Sequence, residues 1–211
     1  MRGAGAVLVA CGALALSGAA AAQAAQVGAT HALVKVRPGD GAPTATSVSI
    51  DAARNEFESF QIVVAGGAGG VTGVTATASA LTGPGSASIP VEQVMLYQAG
   101  LYQVVTPSNT EGAAGPWPDP LIPAVDAYES ETRNAFPFDV AASESRLIWV
   151  EVLVPPATPA GTYTGTASVE GTGLTTTEIA VSLRVRGFEL PSTATLKSAF
   201  GVSWNVCAAH L

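Results

Sequence analysis

The segment from Arg146 to Gly165 constrains the fold of this chain more than any other stretch of the sequence. Its first half alternates so that two rows of side chains would point to opposite sides of a β-strand, and both rows are largely apolar. A strand with two apolar faces is typical of the middle of a packed sheet. The rows are Ile148, Val150, Val152 and Val154 on one side, and Leu147, Trp149, Glu151 and Leu153 on the other.

A turn must follow this strand. Pro155, Pro156 and Pro159 have no backbone N–H to donate to a sheet, so the strand stops at the first of them. Gly161 permits backbone angles that other residues resist, and alternation resumes from Thr162 to Ser168. We therefore predict a strand, a proline-rich turn and a second strand, and call this segment the hub hairpin.

Similar short alternating segments recur along the chain, separated by turns rich in glycine and proline. We find no convincing amphipathic helix, although residues 51–56 are interpreted as a short connection with at most one helical turn. Roughly nine strands with this spacing predict an antiparallel β-sandwich of the immunoglobulin-like or jelly-roll kind. The other predicted strands are residues 31–37, 44–50, 57–64, 71–80, one or two within 89–105, 136–140 and 174–186.

Length and charge narrow the functional class. A chain of 211 residues is typical of a single domain, with room for little more. Its net charge is −7, and the sequence contains no run of lysine or arginine residues. Nucleic acid and anionic membrane surfaces are therefore poor partners.

The N-terminus has the pattern of an export signal. Arg2 supplies a short positive region, Ala6 to Leu16 an apolar region, and small residues near position 24 fit a cleavage site. We predict a signal peptide over residues 1–24, a secreted or periplasmic protein, and no membrane attachment after cleavage. A lipoprotein signal ending at Cys11 is the alternative. Cleavage near residue 24 would leave only Cys207, which excludes an internal disulfide.

The C-terminal tail differs in character from the rest. We assign residues 25–191 to the sandwich and residues 192–211 to a linker and the first strand of a further domain. Leu196 to Trp204 is a new apolar segment that has no predicted partner within the chain. It is interpreted as the first strand of a second domain that is cut off.

Residues 106–135 form the longest irregular segment and hold the candidate site. Loops this long are usually functional or disordered. Trp117 and Tyr128 could act as aromatic platforms for a sugar, with Asp119 as a hydrogen-bond acceptor, or these residues could face another domain. The alternative that we favour for Trp117 is an anchor that holds the proline-rich loop in place.

The sequence gives no catalytic residue, metal site or cofactor site. The acidic residues of the loop have neither a spacing that orients a carboxylate pair nor the register of a calcium loop. His31 and His210 lack a G-x-S-x-G motif that could accompany a nucleophile. We therefore expect no catalysis by this chain, no bound metal and no cofactor.

Three motifs in a fixed order resemble a known family. They are Arg54 to Gln61 (RNEFESFQ), the hub hairpin, and Phe188 to Pro191 (FELP). Together they resemble the N-terminal β-sandwich of glycoside hydrolase family 123 and its secreted bacterial relatives, over about residues 30–200. In that family the sandwich precedes a catalytic (β/α)8 barrel. The resemblance implies hydrolysis of an N-acetylgalactosaminide by an adjacent Asp-Glu pair. This sequence contains no adjacent Asp-Glu pair, so no catalytic residue carries over.

These observations leave three hypotheses open. The first is a non-catalytic N-terminal sandwich of an exported glycoside hydrolase, whose partner is its own missing barrel domain. The second is a free-standing carbohydrate-binding module with a glycan partner. The third is a structural or adhesion-type sandwich domain.

Overall fold

A computed structural model describes residues 23–110, 112–126 and 128–193. Residues 1–22 of the predicted signal peptide and the apolar segment from Leu196 to Trp204 lie outside these residues. In the described part of the chain, twelve strands and two short 3-10 turns, Pro84–Ser86 and Val91–Gln93, make an all-β fold. The strands are β1 (Gln26–His31), β2 (Ser47–Arg54), β3 (Glu56–Ala65), β4 (Val71–Ala78), β5 (Leu81–Thr82), β6 (Ser88–Ile89), β7 (Val94–Val104), β8 (Gly115–Pro123), β9 (Phe138–Val140), β10 (Ser145–Val154), β11 (Gly161–Thr172) and β12 (Thr177–Glu189).

Two sheets pack face to face and confirm the predicted sandwich. One has five strands in the order β1-β3-β10-β7-β8. The other has the order β2-β12-β11-β4-β9, with the short β5 and β6 attached beside β11. Buried side chains from both sheets form one apolar cluster between them.

The two strands of the hub hairpin do not pair with each other: they lie in different sheets, so the segment is an arch that links the two sheets. Its first strand, β10, pairs with both β3 and β7 in the middle of the five-stranded sheet. Its second strand, β11, pairs with β4 and β12 in the other sheet. The first of the two apolar rows, Ile148, Val150, Val152 and Val154, is fully buried in the core. The prediction of a central strand with two apolar faces is therefore confirmed.

The connection from β2 to β3 differs from the prediction. Residues 51–54 continue strand β2 instead of forming a helical turn, so that expectation was wrong. The chain then crosses from one sheet to the other through Asn55 alone, at a φ of 57°. Asparagine tolerates this left-handed conformation better than most residues. Because β2 pairs in parallel with β12, the sandwich is mixed rather than wholly antiparallel.

The first strand also differs from the prediction. It runs from Gln26 to His31, whereas residues 32–37 form a loop across the outer side of the five-stranded sheet. The Nε2 group of Gln61 holds this loop, lying 2.8–3.0 Å from the carbonyl oxygens of His31, Ala32 and Val34. Residues 31–37 alternate like a strand, but Val36 is buried by tertiary packing against Val63, Ala99 and Leu147. The alternation therefore does not reflect pairing in a sheet.

The segment predicted as irregular, residues 106–135, contains a nine-residue strand, β8. Among the described strands it pairs only with β7, and it forms the edge of the five-stranded sheet. Proline is tolerated in an edge strand because the missing N–H can face the side without a neighbour. The prediction of one long loop was wrong in this respect, since the prolines mark an edge and not the absence of a strand. The structure has twelve described strands, whereas roughly nine were predicted. The edge strand β8 and the short strands β5 and β6 account for most of this difference.

Candidate functional site

The five-stranded sheet has an outer face that is turned away from the core, and this face holds the candidate site. Strand registers place side chains in rows across this face. One row is Val63, Leu147, Ala99 and Leu121; the next is Gln61, Trp149, Tyr97 and Pro123; the third is Ser59, Glu151 and Met95; the last is Phe57 and Leu153. Trp149 is thus half-buried outside the core between Gln61 and Tyr97.

A groove with a volume of about 400 Å³ lies beside strand β8 on this face. We call it the β8 groove. Its wall is mostly apolar, and Tyr128, at its edge, has a side chain that is 96% exposed. An exposed aromatic ring over an apolar groove is suited to stacking with a ligand or a partner surface. The lining residues that matter below are Met95, Tyr97, Leu121, Val125, Asp126 and Tyr128.

The carboxylates beside the groove are already engaged. Asp126 Oδ1 accepts hydrogen bonds from the backbone N–H groups of Tyr128 and Glu129, at 2.9 and 3.1 Å. Its Oδ2 is 3.0 Å from the guanidinium of Arg133, which also pairs with Glu131 at 3.0 Å. The bond from Glu129, then that from Tyr128, and then the arginine lower the pKa of Asp126. Asp126 therefore organises the turn and stays ionised.

A second polar pair lies deeper, where Tyr97 lines the groove. The Tyr97 hydroxyl is 3.3 Å from Glu151 Oε2 on the neighbouring strand. Burial, and secondarily the charge of Glu151, raises the pKa of Tyr97. Because the raised pKa keeps Tyr97 neutral, its hydroxyl can donate to Glu151. The Glu151 carboxylate therefore already has a hydrogen-bond partner on the neighbouring strand.

The three predicted site residues lie in three different settings. Tyr128 borders the β8 groove, whereas Asp119 borders a separate cavity of about 170 Å³ that also contacts Trp149 and Lys35. The two cavities share one wall residue, Leu121. Trp117 lines neither of them. The structure therefore does not bring the three residues together in a single site.

Trp117 has the geometry of an anchor. Its Nε1–H donates to the carbonyl oxygen of Ala113 at 2.7 Å. The guanidinium of Arg37 lies 4.5 Å from the centre of the indole ring, a cation–π contact. Arg37 belongs to the loop that crosses the outer face, so Trp117 ties that loop to strand β8.

Sequence reasoning did not identify Tyr97, Met95 and Leu121 as groove residues. Their positions in the groove depend on the pairing of β7 with β8, which begins at Tyr97 and Pro123. A signal was present in the alternation of β7, but its partner strand was assigned to a loop.

The three sequence motifs converge at one end of the sandwich. The backbone N–H of Asn55 donates to Val154 O at 2.8 Å, which joins the first motif to the hub hairpin. Its side chain donates to Leu190 O at 2.9 Å and lies 3.2 Å from Ser192 Oγ, which joins it to the third motif. We call this region the exit end, because the described chain leaves the sandwich there.

Across residues 23–110, 112–126 and 128–193, no helix is long and apolar enough to cross a membrane. Over the same residues, no group of three or more His, Cys, Asp or Glu side chains is placed to hold a metal ion.

The family described as the glycoside hydrolase 123 N-terminal domain matches residues 32–171, about two-thirds of the sequence. The chain belongs to this family. The match includes strands β2 to β10 and most of β11, and thus the first two motifs and the β8 groove. Strand β12 and the third motif follow the matched range. The resemblance inferred from the three motifs is confirmed.

Among solved structures, a similar chain is that of a family 123 glycoside hydrolase from Clostridium perfringens, described in a study of glycolipid glycan hydrolysis. The TM-score is 0.66 at 14% sequence identity. The similarity covers 80% of this chain but only 28% of the Clostridium chain, and at this identity it shows a shared fold. A comparison with curated proteins gives no match.

Proposed function

We propose that this chain is the non-catalytic N-terminal β-sandwich of an exported glycoside hydrolase, and that it supports a catalytic barrel domain that follows it. The observation that carries the proposal is the state of two carboxylates, Asp126 in the wall of the β8 groove and Glu151 beside the lining residue Tyr97. Asp126 is bound by two backbone N–H groups and Arg133, and Glu151 is bound by Tyr97. Glycoside hydrolysis typically uses a free pair of carboxyl groups about 5–10 Å apart.

Family membership supports the same function. The matched domain is defined by its N-terminal position in a hydrolase family. The similar Clostridium chain is a glycoside hydrolase. The region that matches this fold makes up only 28% of its length. A supporting sandwich needs a stable core and an exposed contact surface, but no catalytic groups of its own.

An activity assay tests the catalytic part of the proposal. The 211-residue chain should not hydrolyse aryl N-acetylgalactosaminides or other aryl glycosides. The same chain extended through the domain encoded after Leu211 serves as the positive control. Turnover by the short chain that disappears in Asp126→Asn would overturn the proposal, as would a gene that ends at Leu211 in an intact genome.

Export is tested by sequencing the N-terminus of the mature protein. Cleavage near residue 24 is the expected result, because small residues at that position follow the apolar region. A lipid-modified Cys11 at the mature N-terminus would replace the simple signal peptide with a lipoprotein signal.

Carbohydrate binding at the β8 groove is a second candidate, favoured by the exposed ring of Tyr128 beside Tyr97. Affinity electrophoresis through a panel of glycans tests it. Binding should be lost in Tyr128→Ala and retained in Tyr102→Ala, which removes an exposed tyrosine outside the groove. If no glycan retards the chain, this candidate fails.

A further inference from the structure

Hydrogen bonds fix the point at which the chain leaves the sandwich. The Asn55 side chain donates to Leu190 O at 2.9 Å and lies 3.2 Å from Ser192 Oγ. The backbone N–H of Leu190 donates to Arg54 O at 3.0 Å. The residues after strand β12 are therefore bonded to the β2–β3 connection by both backbone and side-chain groups.

A further hydrogen bond connects the hub hairpin to the same end of the sandwich. Glu189 Oε2 accepts a hydrogen bond from the backbone N–H of Ala157, at 3.0 Å, within the proline-rich turn. Asn55 and Ala157 both have positive φ angles, of 57° and 61°. Residues other than glycine are held in this conformation only where the surrounding structure requires it, often at functional positions.

Apolar side chains remain uncovered around these bonds. Phe57 is 53% exposed and Phe188 is 59% exposed. Leu190 is also exposed, and Leu153, which pairs with Phe57 on the outer face, is half-buried. Each lies within two residues of a hydrogen bond that fixes the exit. Exposed apolar side chains that gather at one end of a fold are typical of interaction surfaces.

We infer that the exit end is the docking platform for the polypeptide that continues beyond Thr193, with Asn55 as its positioning residue. The inference rests on the proposed function, because it requires a following domain. Residues 194–211 follow Thr193 in the sequence, and the similar Clostridium chain is matched over only 28% of its length. A domain joined directly to a fixed exit has a high effective concentration, so a small apolar platform is sufficient to hold it.

Hydroxyl-radical footprinting tests the platform. The 211-residue chain is compared with the same chain extended through its following domain. Oxidation of Phe57 and Phe188 should fall several-fold in the extended protein. Tyr102, which is exposed on β7 beyond the Ala99–Leu147 pair and so away from the exit, serves as the unchanged control.

The alternative outcomes separate the two proposals. Protection of Tyr128 and Leu121 instead of Phe57 and Phe188 would place the following domain on the β8 groove and overturn this inference alone. Protection that grows with protein concentration would identify a second copy as the occupant, with the same consequence. If no domain is encoded after Leu211, the proposed function and this inference both fail.

A pair of glycine substitutions tests the positioning residue in the extended protein. Asn55→Gly keeps the left-handed angle accessible but removes the side-chain hydrogen bonds. Ser143→Gly is the matched control, because Ser143 also has a positive φ, of 60°, and precedes the other end of β10. Hydrogen exchange at residues 188–193 should accelerate several-fold, and protection of Phe188 should weaken, only in Asn55→Gly. Unchanged exchange and protection would overturn the role of Asn55.

Discussion

At the scale of single residues, Tyr163 connects the proline-rich turn of the hub hairpin to the core. The ring is fully buried between the sheets, and the hydroxyl donates to Pro159 O at 2.9 Å. This bond closes the proline-rich turn back onto strand β11, much as a tyrosine corner does in immunoglobulin-like sandwiches. The aromatic ring and the turn prolines are therefore parts of one structural unit.

Replacing Tyr163 by phenylalanine should destabilise the fold with little change in packing. The carbonyl of Pro159 would lose its partner, so we expect a decrease of about 1 kcal/mol in the free energy of unfolding. Urea denaturation measures this decrease. Tyr102→Phe is the control, because Tyr102 is mostly exposed and the substitution should leave the midpoint unchanged. Equal midpoints for both variants would show that the buried hydroxyl contributes nothing.

Asp126 gives a prediction about acid pH. Its pKa in the folded chain is lowered by its hydrogen bonds with Glu129 and Tyr128 and by Arg133. The stabilisation is therefore complete above the ordinary aspartate pKa of about 3.9 and is lost as the pH falls through the lower folded value. The backbone amide resonances of Tyr128 and Glu129 should shift together in this acidic window in an NMR titration. The shift should be absent in Asp126→Asn. A transition centred above the ordinary aspartate pKa would contradict this prediction.

At the scale of elements, the strands differ in how far their own residues determine that they form a strand. Strand β10 was predicted correctly because its own alternation shows that both faces are covered. Strand β8 was not, because its prolines are compatible with pairing only at the edge of a sheet. The edge position is a property of the whole sheet and cannot be read from nine residues.

The two faces of β10 should differ in their contribution to stability. Ile148→Ala removes a fully buried side chain from the core, and we expect a loss of about 2–5 kcal/mol. Leu153→Ala removes a half-buried side chain from the outer face of the same strand and should cost clearly less. Chemical denaturation of the two variants compares these costs. Similar losses would mean that the outer face is as well packed as the core.

At the scale of the whole molecule, the sandwich is closed by contacts between distant parts of the sequence. Strand β2 pairs with β12 in parallel, and the residues after β12 bind the β2–β3 connection. The last described residues thus complete the fold as well as forming the exit.

Two truncations separate these roles. A chain ending at Thr193 keeps every hydrogen bond described at the exit and should melt at the same temperature as the full chain. A chain ending at Gly187 loses the bonds made by Glu189 and Leu190. Each lost bond contributes about 0.5–1.5 kcal/mol, so its melting temperature should fall. Thermal unfolding followed by circular dichroism provides the comparison, and equal melting temperatures would show that the exit residues do not stabilise the sandwich.

The sequence by itself determined the fold class, the central strand and the family, because these depend on local alternation, turn residues and motif order. Only the tertiary structure decided the first strand, the edge strand and the site. Trp117, Asp119 and Tyr128 are close in sequence, but the register of β7 and β8 and the loop held by Gln61 place them in separate settings. The hub hairpin shows the same division. Its alternation predicted a strand, whereas only the packed sandwich brought its turn beside Asn55 and Leu190, because hydrogen bonds between distant segments form only when the sheets assemble.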